Sequence, residues 1–141
     1  MIPKYMLLLL MVLGAIVAGG CADSITESEP SVLDRTRVNA VFRFSDVQAV
    51  LNNNCAFSSC HAGTQLPNMS AGQAYANLVN QPSFQGDDYI EPGDPSASYL
   101  FRKISGGPNI NGVRMPFPGG YLSDTVIDSI GAWISRGAPN D

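Results

Sequence analysis

Hydrophobic and polar positions divide this chain into three kinds of segment. The first is an unbroken apolar run of 14 residues, Tyr5 to Ala18, preceded by Lys4. A membrane-spanning helix needs about 20 such residues, whereas 10 to 14 suits the core of a signal peptide. The second, Ala22 to about Asn39, is polar and lacks apolar periodicity, which is the pattern of a flexible tether. From residue 41 onward short apolar stripes at helical spacing alternate with loops.

Four helices are predicted in this third segment. Ser45-Asp46 supplies a start for a helix through about Asn53, with Val47, Val50 and Leu51 on one face. Ser70 caps a short second helix near 72–79, where Tyr75 and Leu78 stand three apart. Asp94-Pro95 is a capping residue followed by proline at the first helical position. It predicts a helix over 95–104 that buries Tyr99, Leu100 and Ile104. Ser123-Asp124 opens the last helix, whose stripe is Val126, Ile127, Ile130, Trp133 and Ile134, and Gly137 ends it. No internal repeat or credible strand pairing is present, so the expected class is all-α, with 105–120 as loop. The organisation expected is a leader over 1–20, a tether over 21–40 and one domain over 41–141.

Chemistry enters with Cys55-Ala-Phe-Ser-Ser-Cys60-His61, a C-x4-C pair with the only histidine directly behind it. Covalent haem attachment ordinarily uses C-x-x-C-H. The Cys-His step is intact here, and it is the step that matters. A thioether from Cys60 pins the backbone at the porphyrin edge, so His61 can turn its imidazole onto the iron. Cys55 need only reach the other vinyl group, which a loop bulging outward allows. A Cys55–Cys60 disulfide is the plain alternative in an oxidising compartment. A structural zinc wants four Cys or His ligands and would be one short once Cys21 is committed elsewhere.

Cys21 is committed by its context. Ala18-Gly19-Gly20-Cys21 at the end of the apolar run resembles a bacterial lipobox, in which the cysteine is lipidated and becomes the first mature residue. Simple secretion with a spare thiol is the alternative. Ala22 after the cysteine favours the outer membrane. Export leaves 121 residues, enough for one compact domain, and places the cysteine pair where bacteria attach haem c. With Lys4 removed, seven basic residues face twelve acidic ones. No basic patch exists, so nothing points to nucleic acid.

Four short helices with long loops make a thin core, and a haem disc against which loops pack would answer that. The second axial ligand would come from Met69 or Met115, since no second histidine exists. Met115 lies in Arg114-Met115-Pro116-Phe117-Pro118, a loop stiffened by prolines. Met69 follows His61 by only eight residues and suits the core better. Arg102, Lys103 and Arg114 are candidates to pair with haem propionates or to lie solvated on the surface. Asp87, Asp88, Glu91 and Asp94 lack the spacing of a calcium loop and read as polar loop. With the one histidine spent on iron, no nucleophile-and-base set remains.

The order Cys60-His61, then Pro92-Gly-Asp-Pro-Ser-Ala-Ser-Tyr-Leu100, then Arg114-Met115-Pro116, then Leu122-Ser123 leading to Ala132-Trp-Ile-Ser-Arg-Gly-Ala138 resembles a class I cytochrome c domain. It is similar in particular to single-haem modules of bacterial lipoproteins and large exported proteins. The resemblance covers about residues 41–138. It implies an all-α fold around one covalent haem c, with His61 proximal, Met115 distal and the last helix crossing the first. With both axial positions filled and a lipobox at Cys21, the function expected is one-electron transfer to redox partner proteins from a lipid-anchored position in the cell envelope. Competing expectations are a haem sensor or peroxidase-like protein with an open iron site, and a haem-free, disulfide-closed binding module.

Overall fold

In the computed structural model, residues 41–141 are described. The leader, the lipidation site Cys21 and the tether expected before residue 41 lie outside the described residues. Four helices follow one another: α1 (Phe44–Asn54), α2 (Ala74–Leu78), α3 (Tyr99–Ser105) and α4 (Asp124–Ser135). Among the described residues no strand forms, and the only β-type pairings are three isolated bridges, Val79 with Ile90, Pro82 with Asp88 and Glu91 with Asp94. The described part is therefore all-α in its regular structure. Among the described residues no helix is long and apolar enough to cross a membrane.

Each helix boundary has a local cause, and three starts differ from the sequence expectation. Helix α1 begins at Phe44, with Arg43 rather than Ser45 at the cap. Asp46 caps from inside the first turn, accepting the Arg43 N–H at 2.9 Å. The Phe44 and Ser45 N–H groups donate instead to Asp141, to its carboxylate at 2.8 Å and its carbonyl at 3.2 Å. Phe44 is drawn into the helix by its ring, edge-on to Tyr75 at 5.0 Å and tilted against Trp133 at 5.9 Å.

Helix α2 starts at Ala74, two residues later than expected, because Gly72 sits at φ +77°, outside the right-handed helical region. Ser70 contributes its carbonyl, which accepts from Gln73 and Ala74, and its side chain makes no cap bond.

Helix α3 starts at Tyr99 and not at Pro95. Asp94 spends its carboxylate on a self-contained turn, accepting from Ser96 N–H at 2.8 Å, Ser96 Oγ at 2.6 Å and Ala97 N–H at 3.0 Å. These bonds hold the carboxyl below its ordinary range, the Ser96 hydroxyl contributing most. Buried Ser98 is extended and accepts from Glu91 N–H at 2.9 Å. The first helical N–H groups, Tyr99 and Leu100, then donate to the carbonyls of Asp88 and Tyr89, both at 2.9 Å. The cap expected of Asp94 is thus replaced by the preceding loop.

Helix α4 matches expectation at both ends. Ser123 Oγ accepts from Val126 N–H. After Arg136, Gly137 turns left-handed at φ +94°, its N–H bonding the Ile134 carbonyl while Ala138 N–H bonds that of Trp133. That pair of bonds is a Schellman motif.

The core gathers Val47, Leu51, Met69, Leu78, Ile90, Leu100, Ile104, Ile130, Trp133 and Ile134. Of the helical positions expected inside, Val50, Tyr75, Tyr99 and Val126 are only partly covered. Ile90 is fully buried although it comes from an acidic loop, because its N–H and carbonyl are tied to Leu78 and Asn80. The main helix contact is between α3 and α4. There Phe101 lies so close to Gly131 that a Cβ would stand 3.0 Å from the ring. The crossing of the last helix over the first, implied by the resemblance, is here a meeting of Phe44 with Trp133, while α3 takes the main contact with α4.

Candidate functional site

The C-x4-C-H segment is a closed loop at the end of α1. Cys55 and Ala56 N–H both donate to the Leu51 carbonyl at 2.8 Å, so the loop departs directly from the last helical turn. Cys60 N–H returns to the Phe57 carbonyl at 2.9 Å, and His61 N–H reaches the Cys55 carbonyl at 3.1 Å. The residues between the cysteines are therefore pushed outward as a turn, with Phe57, Ser58 and Ser59 exposed, while the Cys60-His61 step is brought back against Cys55. Thr64 Oγ1 to Ser58 O at 2.6 Å and Gln65 N–H to Cys60 O at 2.9 Å close the outer side.

Both cysteines are free thiols, Cys55 buried and Cys60 half-buried. Burial pushes the Cys55 thiol up to about 11, with a smaller contribution from the nearby Cys60 sulfur. His61 is half-buried, and its Nδ1 lies 3.1 Å from the Pro67 carbonyl oxygen. A carbonyl only accepts, so Nδ1 carries a proton in this bond, and in the neutral tautomer that this fixes the lone pair lies on Nε2. No hydrogen-bond partner occupies Nε2 among the described residues.

Met69 belongs to the core at 4% exposure, its N–H donating to the His61 carbonyl at 2.7 Å. Met115 is half-buried on a separate segment and its N–H is held by the Lys103 carbonyl at 2.9 Å. All hydrogen bonds that residues 106–121 make outside their own segment go to α3. Gly106 and Gly107 donate to Arg102, Met115 to Lys103, Arg114 Nε to Ile104 at 2.7 Å, and Asn111 to the Tyr99 hydroxyl at 3.2 Å. The structure thus joins Cys55, Cys60 and His61 in one loop and carries Met115 on another.

The three basic candidates separate clearly. Arg102 is taken by Asp87 and by the carbonyls of Ser96 and Ala97. Lys103 donates to the Asn111 carbonyl. Arg114 is anchored through Nε and stacks over the Tyr121 ring at 4.4 Å. Asp87 and Asp94 are spent on Arg102 and on the turn before α3. Among the described residues no group of three or more His, Cys, Asp or Glu side chains converges.

Seven large apolar side chains are exposed among the described residues, and five of them lie in these two loops: Phe57, Leu66, Val113, Phe117 and Tyr121. Single exposed hydrophobes need no explanation, but concentration in two segments does. The sequence did not single out Gln48, Pro67, Asn68 or Asn77, which support the histidine. Only Pro67 left a linear signal, as a proline shortly after Cys-His.

No protein-family model matches the chain, and no curated protein and no solved structure is significantly similar to it.

Proposed function

We propose that this chain is a membrane-anchored, mono-haem c-type cytochrome that carries single electrons in the bacterial cell envelope. The supporting observation is His61: it stands directly behind a free thiol, with Nδ1 bonded to the Pro67 carbonyl and Nε2 without a partner among the described residues. The residues fit the group. Cys55 and Cys60 would hold haem c through thioethers, His61 Nε2 would be the proximal ligand and Met115 the distal one. Haem c, when bound, supplies one-electron exchange between Fe(III) and Fe(II).

The chain's own residues set the conditions for that exchange. Pro67 keeps the proton at Nδ1 and fixes the ring plane, as outer partners of ligating histidines do. Met115 offers a soft, neutral sulfur, which favours the reduced state. Met69 is withdrawn as a competitor by its place in the core. Phe57, Leu66, Val113, Phe117 and Tyr121 offer apolar surface suited to a macrocycle. No second histidine is available as a distal base, which argues against peroxide chemistry. Lipidation of Cys21 would hold the domain on a membrane, most simply the outer one, facing the periplasm or the exterior, within reach of redox partner proteins.

The test is production of the full chain in a host with haem c maturation. One haem should be retained through denaturation and acidic solvent extraction, and the oxidised protein should show the weak near-infrared band of sulfur-ligated haem. Met115→Ala should abolish that band and open the iron to added ligands, and Cys21→Ser should release the protein from membranes. A colourless protein two hydrogens light in mass would replace the cytochrome with the disulfide-closed module. A pigment whose spectrum ignores both Met115→Ala and Met69→Ala would favour the open-site sensor or peroxidase.

A further inference from the structure

We infer that Asn77 of α2 and Gln48 of α1 are positioning residues that together fix the tautomer and orientation of His61. The carbonyl that receives the His61 proton belongs to Pro67, and the two residues after it are clamped from two helices. Asn77 Nδ2 donates to the Asn68 carbonyl at 2.9 Å, and Gln48 Nε2 donates to the Met69 carbonyl at 3.0 Å. Asn68 Oδ1 accepts from Ser70 N–H at 3.0 Å, and Met69 N–H closes the circuit on the His61 carbonyl at 2.7 Å. The imidazole and its acceptor are thereby parts of one hydrogen-bonded ring of chain, and the two amides are its struts.

Gln48 holds its place in this arrangement with one of its two amide atoms unpartnered. Its Oε1 is buried without a partner while its Nε2 serves both Met69 and Asn52. A buried acceptor left unpaired costs free energy, but the opposite amide orientation would set Oε1 against the Met69 carbonyl and Asn52 Oδ1, acceptor against acceptor. Asn77 occupies the next-to-last position of a five-residue helix otherwise made of Ala, Tyr and Leu. Its amide is aimed at the residue adjoining the histidine's acceptor. Outer-shell partners of this kind tune ligand basicity as well as ring angle.

The consequence for iron rests on the cytochrome reading above, whereas the consequence for the tautomer does not. With the clamp intact Nδ1–H is the dominant neutral form. If the clamp is cut, the Pro67 carbonyl drifts, the Nδ1–H bond weakens, and the Nε2–H form gains population. In the haem-loaded protein a weaker Nδ1–H bond makes the imidazole a poorer donor to Fe(III), and the potential rises.

His61 is the only histidine, so its ring signals need no assignment by mutation. The full chain, labelled with ¹⁵N and prepared without haem, is compared with Asn77→Asp, which keeps shape but removes the donor. Gln48→Met, which removes donor and orphan oxygen together, is the second variant should the first fail to fold. Long-range ¹H–¹⁵N spectra of the neutral ring should show Nδ1–H in clear excess in the parent chain, and the ratio should fall several-fold in either variant. An Nε2–H majority in the parent, or a ratio unmoved in both variants, overturns the inference. A colourless protein whose tautomer shifts as described sustains the clamp and removes the cytochrome. A haem-bearing protein with an unmoved tautomer and potential removes the clamp and leaves the cytochrome.

Discussion

Two loops carry the candidate ligands, and they are built on opposite plans. Residues 55–69 form a knot, with main-chain groups of Cys55, Phe57, Cys60, His61, Gln65 and Met69 bonded to one another and helices α1 and α2 reaching in. Residues 106–121 are instead draped along one short helix, every outside bond going to α3. The first plan fixes a ring and its proton by redundancy. The second fixes a main-chain N–H at Met115 and leaves its neighbours Val113, Phe117 and Tyr121 exposed. Support from two helices and from the loop itself thus surrounds His61, whereas Met115 depends on one helix alone.

The largest effect should separate the two methionines. Met69→Ala empties a core position and should cost about 2–5 kcal/mol, whereas Met115→Ala in the haem-free chain should cost about 1 kcal/mol or less. Denaturant unfolding of both variants checks this, and equal losses would erase the contrast.

An alkaline titration probes the knot alone. The unfolded Cys55 thiol ionises near 9.0 and the folded one near 11. The folded state therefore holds a proton that the unfolded state releases, and stability should fall as pH rises through this interval. The loss is of the order of 2–3 kcal/mol by linkage. Cys55→Ala should flatten that slope, and an unchanged slope would show that the sulfur is not buried.

Gly131→Val tests the other plan through its support. A side chain there strikes the Phe101 ring, and overpacking of this kind costs about 1–3 kcal/mol. Amide shifts should spread from α3 into 106–121 and stop short of 55–69. The smallest effect is expected at Asp94, whose lowered pKa stabilises the turn before α3 above the ordinary carboxylate range. That contribution should fade as pH falls through the folded value, and Asp94→Asn should remove the pH dependence.

Much of this was legible from spacing. The α4 stripe from Val126 to Ile134 and the Ser123 and Gly137 ends are set by contacts within a few residues, so the sequence carries them. Helix α3 starts four residues later than its local signals predict because the partners of its first N–H groups, Asp88 and Tyr89, come from a neighbouring loop that no local rule connects to it. Helix α1 shifted for the same kind of reason, its first N–H groups being satisfied by Asp141, ninety-seven positions beyond Phe44. In the site, Cys55, Cys60, His61 and Met115 stand out by chemical type. Gln48, Asn68 and Asn77 are ordinary amides until the fold aims them at particular carbonyls.

The bonds between Phe44 and Asp141, and between the Phe42 carbonyl and Arg136 at 2.6 Å, bring the two ends of the described region together. A unit entered and left at nearly one point can be spliced into a surface loop of a larger host with little separation for the host to bridge. The same architecture therefore suits both a domain held by one end and a bead threaded into a longer polypeptide.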